Sequence, residues 1–585
     1  MRVICCQGRK PGSVTAVVCA LASLCLPSIA QALTLSPLNG TPDASPTTQI
    51  SFLGAPAASI SKVSVRGSRS GVHGGRLRPY ASATGASFLP ARPFAPGEQV
   101  MVSALVKGAH VSSKFEVARQ LPNPTAFAAG PVARASSAGV QSFPSEPELR
   151  PPTVAVTARS DELAPGLIFL TPTRGYGQPG TMIIDDWGRL VWFKRTPPGM
   201  VATNLQVQQY QSRPVLVWWQ GHISDGVGFG TDQIYGSDYR PVKTLRAGNG
   251  YEADLHAVRL TAQGAAYITA YSLIRADLSS VGGARNAILQ DSIVQEVDVA
   301  TGLVMFEWHA FGHVALSDSY YRPGPTDRPW DYFHVNSISP DPWPDGDFII
   351  SARNTWAGYE IDHHSGAIRW RIGGKHSSFH MGPGTGTAWQ HDVRWQPDHT
   401  LTFFDNGAVP KRHAQSRVIH ERVDWAHRTV RLITSEIHSP PILSGSQGDA
   451  QMLSNGGEFV GWGARPYVSE FGPDGHVRFE VQLAAQSYRA FRFSWSGTPA
   501  SQPSLAVRPA AGGALTAYAS WNGATDVAAW ALSVGQAANK LRRVAVTPST
   551  GFETSIPLQT NSPWIAVTAL DASGRTLASS PPVAR

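Results

Sequence analysis

Three histidines stand at the start of similar short segments in the middle of the chain. His256 lies in DLHAV, His334 opens HVNSI, and His391 lies in QHDV. Each segment precedes one copy of a repeated hairpin pattern, so the three side chains share one phase of the repeat. A neutral imidazole can act as a nucleophile or as a general acid and base near neutral pH. The pattern therefore indicates a site at which a small group is bound or transferred.

Arg353 and Asn336 add hydrogen-bond donors to this set. Asn336 lies two residues after His334, and Arg353 ends the apolar run FIISAR that follows. Pairing of the two segments in a hairpin would return Arg353 to the side of His334. A guanidinium and an amide beside imidazoles suit an oxyanion.

A zinc site is the alternative use of three imidazoles. The nearby Arg353 argues against it, because a fixed cation repels a metal ion. We therefore predict no metal and no cofactor.

The elements that must position these residues form a repeat. A short apolar run, a turn and an apolar–polar–aromatic strand recur six times, at 183–192, 234–245, 297–308, 361–372, 422–433 and 470–481. This pattern, at intervals typical of a propeller blade, predicts a six-bladed β-propeller over residues 163–497. The first strand of each blade lines the channel of a propeller, so the three histidines are expected to converge at one end of the axis. Long amphipathic helical patterns, which a doubly wound α/β fold needs, are missing from the sequence.

Shorter alternating runs flank the repeats, and the predicted class is all-β. Residues 33–118 and 498–585 read as β-sandwiches of immunoglobulin or fibronectin-III type. Residues 119–162 are rich in Pro, Ala and Ser and are predicted to be a linker or strap. Only 15% of the 585 residues are charged and 42% are apolar, a mixture typical of many short strands joined by turns.

The first 32 residues have the pattern of a secretory signal. Arg9 and Lys10 precede a short apolar run and the small-residue sequence Ala30-Gln31-Ala32. We expect an exported protein whose mature chain starts near Leu33 and contains no segment long enough to span a membrane. All four cysteines would be removed with this segment; they are Cys5, Cys6, Cys19 and Cys25.

The charge distribution excludes one class of partner. The formal net charge is +8, but the basic residues are scattered and form no Lys/Arg block. We therefore expect no binding of nucleic acid, whereas small anionic molecules fit the balance. The sequence does not define the oligomeric state.

The central motifs resemble a known family. HVNSI, DGDFIISARNTW, IDHHSGAIRWRIGG, QHDV and LTFFDNG, in this order, are similar to the bacterial arylsulfate sulfotransferases that use no nucleotide sulfate donor. The resemblance covers roughly residues 160–500. It implies an exported six-bladed propeller that moves a sulfuryl group from an aryl sulfate ester to a phenolic acceptor, in a ping-pong reaction through a sulfohistidine.

The resemblance also implies roles for individual residues. The nucleophile of the family falls on His391, its assisting histidines on His334 and His256, its arginine on Arg353 and its motif asparagine on Asn336. His334 or His256 would donate a proton to the leaving phenolate and remove one from the acceptor. Neither the family motif nor the local sequence decides which of the two histidines has this role.

Two other functions use the same pocket. One is a secreted propeller that binds an anionic or sulfated ligand without catalysis. The other is a sulfatase-like hydrolase, in which water takes the sulfuryl group.

Overall fold

A computed structural model describes residues 33–124, 137–325, 328–343 and 346–585. The predicted signal peptide at 1–32 and part of the predicted linker at 119–162 lie outside these ranges. The described residues contain β-strands and six single-turn 3-10 helices, and no α-helix. The prediction of an all-β class is therefore confirmed. The 3-10 helices are Ala57–Ser59, Ser137–Gly139, Ser279–Val281, Leu316–Asp318, Arg353–Thr355 and Ala511–Gly513.

The N-terminal part forms two antiparallel sheets around one core. Its strands are β1 (Thr34–Ser36), β2 (Ile50–Leu53), β3 (Ile60–Gly67), β4 (Gly71–His73), β5 (Gly75–Pro79), β6 (Gly85–Pro90), β7 (Gln99–Val106) and β8 (Ala109–Glu116). The sheet orders are β1-β2-β6-β5 and β4-β3-β7-β8. Phe52 and Phe88 from one sheet share a buried cluster with Val65 and Val102 from the other. Alternate residues of each strand face this core, which follows from the two-residue period of a strand.

The middle of the chain contains most of the strands. They are β9 (Val154–Arg159), β10 (Leu167–Gly175), β11 (Gly180–Ile184), β12 (Leu190–Arg195), β13 (Val201–Tyr210), β14 (Arg213–Ser224), β15 (Val227–Tyr235), β16 (Pro241–Leu245), β17 (Ala253–Leu260), β18 (Ala265–Ala276), β19 (Ala287–Asp298), β20 (Val304–His309), β21 (Trp330–Asp331), β22 (Val335–Pro340), β23 (Phe348–Ala352), β24 (Ala357–Ile361), β25 (Ile368–Gly373), β26 (His380–Met381), β27 (His391–Trp395), β28 (Leu401–Asp405), β29 (Arg417–Asp424), β30 (Thr429–Ile437), β31 (Asp449–Met452), β32 (Glu458–Gly461), β33 (Tyr467–Phe471), β34 (Val477–Leu483) and β35 (Ala485–Phe493).

These strands form antiparallel units of four, numbered here along the chain. Unit 1 is β35-β10-β11-β12, unit 2 is β13 to β16, unit 3 is β17 to β20, unit 4 is β22 to β25, unit 5 is β27 to β30, and unit 6 is β31 to β34. A single bridge between Gly230 and Ala253 joins units 2 and 3 into one sheet. Three further strands add to these sheets: β9 pairs with β34, β21 with β19, and β26 with β30.

The last two strands of each unit are the hairpins that the sequence repeat predicted. β11 pairs with β12, β15 with β16, β19 with β20, β24 with β25, β29 with β30, and β33 with β34. Gly188 and Gly366 have positive φ angles in two of these turns, at 73° and 71°. Glycine adopts this conformation without the steric cost that a Cβ atom brings.

The first strands of the units contact one another in a closed series. β35 contacts β13, which contacts β17; β17 contacts β22, β22 contacts β27, β27 contacts β31, and β31 contacts β35. β35, which closes the series, also pairs with β10, where Leu167 and Phe493 are register partners. The two ends of the middle region are therefore held in one sheet.

Neighbouring units pack face to face through apolar side chains. Val217 of unit 2 and Ile268 of unit 3 share one buried cluster, and Ile349 of unit 4 and Phe403 of unit 5 share another. Burial on both faces explains why the strands are almost continuously apolar instead of alternating.

The C-terminal part again has two sheets and one core. Its strands are β36 (Ser504–Pro509), β37 (Leu515–Ser520), β38 (Ala529–Ala537), β39 (Lys540–Pro548), β40 (Glu553–Leu558), β41 (Trp564–Leu570), β42 (Thr576–Ser579) and β43 (Val583–Ala584). The sheet orders are β36-β37-β40 and β39-β38-β41-β42, with β43 on β41. Trp530 and Ile556, one from each sheet, lie in the same buried cluster. None of the helices in the described ranges is long and apolar enough to cross a membrane.

Candidate active site

Irregular pairing at the start of the first strands positions the candidate residues. The register breaks between Thr203 and Gln206 in β13, Ala253 and Val258 in β17, Val335 and Ser337 in β22, and His391 and Arg394 in β27. Asn204 and Asp392 have φ angles near +60° within two of these breaks, and His334 has such an angle immediately before a third. A bulge of this kind re-aims side chains and is common next to binding sites.

The three histidines lie together at these breaks. The ring centroids of His256 and His334 are 4.8 Å apart, and those of His334 and His391 are 6.5 Å apart. All three are buried, with at most 8% of each residue exposed. The structure thus brings the three sequence-predicted imidazoles into one cluster, with His334 in the middle.

His391 is held by an amide. Its Nδ1 lies 2.7 Å from Oδ1 of Asn406, while Nδ2 of Asn406 donates to the carbonyl oxygens of Ser444 and Gln447 at 3.0 Å each. Because the amide nitrogen faces two acceptors, its oxygen faces His391, and Nδ1 must carry the proton. Nε2 of His391 is then an acceptor, and the backbone N–H of Gln447 donates to it at 3.2 Å.

The environment keeps His391 neutral. Burial lowers the pKa of His391 well below its ordinary 6.5, and the charges of Arg353 and His334 lower it further. Asn406 opposes this shift through its hydrogen bond but carries no charge. The ring is therefore an uncharged imidazole at neutral pH, with a lone pair on Nε2.

The other two histidines each pair with a carboxylate. Nδ1 of His256 lies 2.5 Å from Oδ2 of Asp254, and Nδ1 of His334 is hydrogen-bonded to Oδ2 of Asp331. Burial lowers the pKa of His256, although the charge of Asp254 opposes that shift. An aspartate at Nδ1 leaves Nε2 as the nitrogen that exchanges protons.

Arg353 begins the 3-10 helix that follows β23. Its backbone N–H donates to the carbonyl oxygen of His334 at 3.0 Å, so the hairpin returns it beside His334 as the sequence predicts. Its guanidinium donates to Oδ1 of Asn354 at 2.8 Å and lies 5.0 Å from the ring centroid of Trp389. Burial lowers the pKa of Arg353, with Asp331 opposing. Its charge acts directly on the His391 ring.

Asn336 makes backbone hydrogen bonds in this structure. Its Nδ2 donates to the carbonyl oxygen of Gln390 at 2.8 Å, and its Oδ1 accepts from the backbone N–H of Asp392 at 3.3 Å. These contacts join β22 to β27 immediately beside His391. Substrate binding by Asn336 stays a prediction.

A buried arginine, Arg489, joins the first strands of several units next to the site. Nη1 of Arg489 contacts Oδ1 of Asn204 at 3.2 Å and the carbonyl oxygen of His256 at 3.1 Å. Nη2 contacts the carbonyl oxygen of Asn336 at 2.8 Å and Oδ1 of Asp392 at 3.1 Å. This one side chain, from unit 1, therefore links units 2, 3, 4 and 5.

Four residues of this site are missing from the sequence prediction: Asp254, Asp331, Asn406 and Arg489. The two aspartates stand two and three residues before their histidines, which is a usable signal. Asn406 lies inside the motif LTFFDNG, but its contact with His391 depends on strand pairing between β27 and β28. Arg489 has no local signal, because its partners come from four other units.

Comparison with known proteins identifies the central part of the chain. The family model described as arylsulfotransferase (ASST) matches residues 206–484. These residues belong to the arylsulfotransferase family. The resemblance predicted from the motifs is thereby confirmed, and all three site histidines lie within the matched range. Membership in the arylsulfotransferase family indicates aryl sulfotransferase activity in general terms.

Other comparisons give only distant likenesses. None of the curated proteins matches the chain. A protein of unknown function from Bacteroides caccae is 12% identical, with a TM-score of 0.35, over 56% of this chain and 98% of its own. A virginiamycin B lyase from Staphylococcus aureus is 13% identical, with a TM-score of 0.21, over 54% and 91%. A quinonprotein alcohol dehydrogenase-like protein from Bacteroides thetaiotaomicron is 7% identical, with a TM-score of 0.22, over 94% of both chains. Because these TM-scores are low, they say nothing about the function of the arylsulfotransferase region.

Proposed function

We propose that the chain transfers a sulfuryl group from an aryl sulfate ester to a phenol in two steps, through a sulfohistidine at His391. The observation that carries this proposal is the hydrogen bond from Nδ1 of His391 to Asn406. It leaves a neutral imidazole with its lone pair on Nε2, beside a guanidinium that lowers the pKa of the ring. A nucleophile of this kind is active without first losing a proton.

The first step forms the covalent intermediate. Nε2 of His391 attacks sulfur, the N–S bond forms, and the bond between sulfur and the aryl oxygen breaks with its electron pair on oxygen. His334 or His256 donates a proton to the leaving phenolate from Nε2, and Asp331 or Asp254 stabilises the charge on the ring that holds this proton. Attack also requires Nε2 to leave the N–H of Gln447, which costs about 1 kcal/mol for a neutral hydrogen bond.

The second step reverses these roles. The acceptor phenol loses its proton to the same histidine, its oxygen attacks sulfur, and the N–S bond breaks to restore neutral His391. Arg353 would bind two sulfuryl oxygens through its planar fork in both steps. The aryl sulfate supplies the sulfuryl group itself, so neither step needs a nucleotide or a metal.

The hydrogen-bond partners of the three histidines differ in charge, and this difference supports different catalytic roles for the histidines. Asn406 carries no charge and so does not favour protonation of Nε2, which suits a nucleophile that must be neutral before it attacks sulfur. Asp254 and Asp331 stabilise a protonated ring, which suits an acid and base. Which of His256 and His334 transfers the proton stays open.

The architecture that we propose around this site is a six-bladed propeller. The closed series of first strands, with β35 paired to β10, supports one blade for each of units 1 to 6. We propose the propeller at 163–497, β-sandwiches at 33–118 and 498–585, and a linker or strap at 119–162. Export through a signal peptide at 1–32 also remains our proposal; recovery of Met1 from secreted material by N-terminal sequencing would contradict it.

The reaction class is tested with 4-nitrophenyl sulfate, with and without phenol. Release of nitrophenol that depends on phenol, with phenyl sulfate as product, is the expected result. Release without phenol would indicate hydrolysis instead. No release from 4-nitrophenyl sulfate or other aryl sulfates would favour a binding protein and contradict the proposed transfer.

A further inference from the structure

A second cluster of ionisable side chains lies away from the histidine pocket, where the N-terminal sheets meet unit 3. Asp43 comes from the loop between β1 and β2, Asp291 from β19, and His309 from the end of β20. Their ligand atoms all lie within 4.8 Å of one another. Each residue is buried, at 2% exposure or less.

The three ligand atoms face a common point. Nδ1 of His309 lies 2.9 Å from Oδ2 of Asp291 and 3.2 Å from Oδ2 of Asp43. Bonds of about 2.1 Å to one ion place neighbouring ligand atoms about 3.0 Å apart at right angles and about 3.4 Å apart in a tetrahedron. The observed spacings therefore match the edges of a metal coordination polyhedron.

Glu307 defines the protonation of His309. Nε2 of His309 lies 3.1 Å from Oε1 of Glu307, whose Oε2 accepts from Asn249 and Gln295 at 2.8 and 2.5 Å. An ionised carboxylate only accepts, so Nε2 carries the proton. A carboxylate behind the second ring nitrogen is the arrangement that orients metal-binding histidines.

A proton on Nδ1 does not satisfy the cluster. It would point to Asp291, and neither carboxylate oxygen of Asp43 has a hydrogen bond in the described part of the chain. The carboxyl groups of Asp43, Asp291 and Glu307 all face His309 inside the protein. Buried carboxylates without a compensating charge are destabilising, and a divalent cation at the common point would supply that charge.

Tyr251 gives independent support. Its hydroxyl is buried and has no hydrogen-bond partner among the described residues, and its ring lies 6.3 Å from that of His309. Burial raises the pKa of Tyr251; the charges of Glu307, Asp43 and Asp291 raise it further, and that of His309 lowers it. A polar atom left unsatisfied at this position indicates a missing ligand.

We propose that Asp43, Asp291 and His309 bind a divalent metal ion, with Tyr251 beside it and Glu307 behind the histidine. Two carboxylates and one imidazole favour Zn²⁺ or Mn²⁺. The ion would join the N-terminal sheets to unit 3. It would also fix the loop before β17 through Asn249. The Nδ2 of Asn249 donates to Glu307 at 2.8 Å, and its Oδ1 accepts from the backbone N–H of Gln49 at 3.1 Å.

The experiment measures metal uptake by the full chain after treatment with a chelator. Wild-type protein is expected to bind about one Zn²⁺ per chain in calorimetry, to show visible d–d absorption with Co²⁺, and to gain a few degrees in Tm. Asp43→Asn should lose uptake, the Co²⁺ absorption and the gain in Tm. His391→Asn, which changes the histidine pocket, should retain all three. Absence of Zn²⁺ uptake by the wild type would overturn the site.

The matched pair of variants separates the two possible locations. Loss of Zn²⁺ uptake in His391→Asn together with retention in Asp43→Asn would place the metal at the pocket and overturn the proposal. If Asp43→Asn does not fold, His391→Asn still decides: one tightly held Zn²⁺ in that chain supports the site, and none overturns it. His309→Gln provides a second variant of the cluster for the same comparison.

Discussion

Nδ1 of His391 donates a hydrogen bond of 2.7 Å to Oδ1 of Asn406. The amide cannot be turned around, because its nitrogen already donates to two carbonyl oxygens, those of Ser444 and Gln447. The tautomer of His391 is therefore set by neutral groups of the backbone and one amide. For His256 and His334, by contrast, the tautomers are set by charged partners, Asp254 and Asp331. This difference in charge leads to the first prediction.

Replacing Asn406 should change the pH dependence of the first step. In Asn406→Asp a carboxylate next to Nδ1 raises the pKa of His391, so the acidic limb of donor consumption should move to higher pH. Asn406→Ala removes the acceptor and should slow the step about tenfold or more at every pH, or ~1.4 kcal/mol in the barrier. Single-turnover release of nitrophenol across pH measures both.

Asn455→Asp, an exposed turn residue of unit 6, is the control for added charge. It should keep the wild-type profile. An Asn406→Asp chain with that same profile would show that Asn406 does not act on the reacting ring.

The depressed pKa of His391 also predicts a pH-dependent stability. The folded state keeps the ring neutral well below pH 6.5, whereas the unfolded chain binds a proton near 6.5. The stability from this neutral ring is thus fully present above the unfolded pKa and falls as the pH drops through it, by up to about 1.4 kcal/mol per pH unit. Urea unfolding of wild type and His391→Asn at about pH 5.5 and pH 7.5 measures this contribution. The wild type should lose more stability at the acidic pH; equal losses would contradict the prediction.

Arg353→Lys keeps a positive charge but loses the planar fork. If the guanidinium binds two sulfuryl oxygens, kcat/KM for aryl sulfate should fall about 10-fold to 100-fold, or roughly 1–3 kcal/mol. Steady-state kinetics measure the loss. Arg428→Lys, in the exposed hairpin turn of unit 5, should leave kcat/KM unchanged. Unaltered kinetics in Arg353→Lys would show that the guanidinium does not bind two sulfuryl oxygens during the reaction.

Local sequence patterns predicted part of the fold. The six hairpins are visible in sequence because turn residues such as Gly366 recur between apolar runs, and the histidines share a phase because each precedes one hairpin. The partners of those side chains are not visible in the same way. Asn406 reaches His391 only through strand pairing, and Asp43 meets Asp291 only through contact between separate sheets. Arg489 depends on closure of the whole series of first strands, which no local window contains.

Arg489 should be essential for stability. Arg489→Met removes the only side chain that contacts Asn204, Asn336 and Asp392 together in the described residues, and leaves buried acceptors without donors. Removing one partner of a buried ion pair costs about 3–5 kcal/mol, and Arg394, which also pairs with Asp392 at 2.6 Å, should keep the loss near 3 kcal/mol. Chemical unfolding measures it. Arg508→Met, on an exposed strand of the C-terminal part, is the control; equal stability of both variants would show that the central arginine is dispensable.

The last prediction locates the covalent intermediate. Donor alone should leave about one sulfuryl group per chain on His391, since without acceptor the second step cannot occur. An N–S bond of this type is expected to be stable in base and labile in acid. Mass spectrometry of the peptide that contains His391, after brief exposure to donor and an alkaline quench, should show the added mass.

Substitutions separate the nucleophile from its assistants. His391→Asn should abolish labelling, whereas replacing His334 or His256 should slow labelling or turnover and leave the attachment point on His391. A label on His334 would keep the reaction class but exchange the roles, and the charge argument from Asn406 would then be wrong. Rapid donor turnover with no adduct on any histidine would indicate direct attack by the acceptor. In that case the neutral lone pair on Nε2 of His391 would act as a base toward the phenol instead of as a nucleophile toward sulfur.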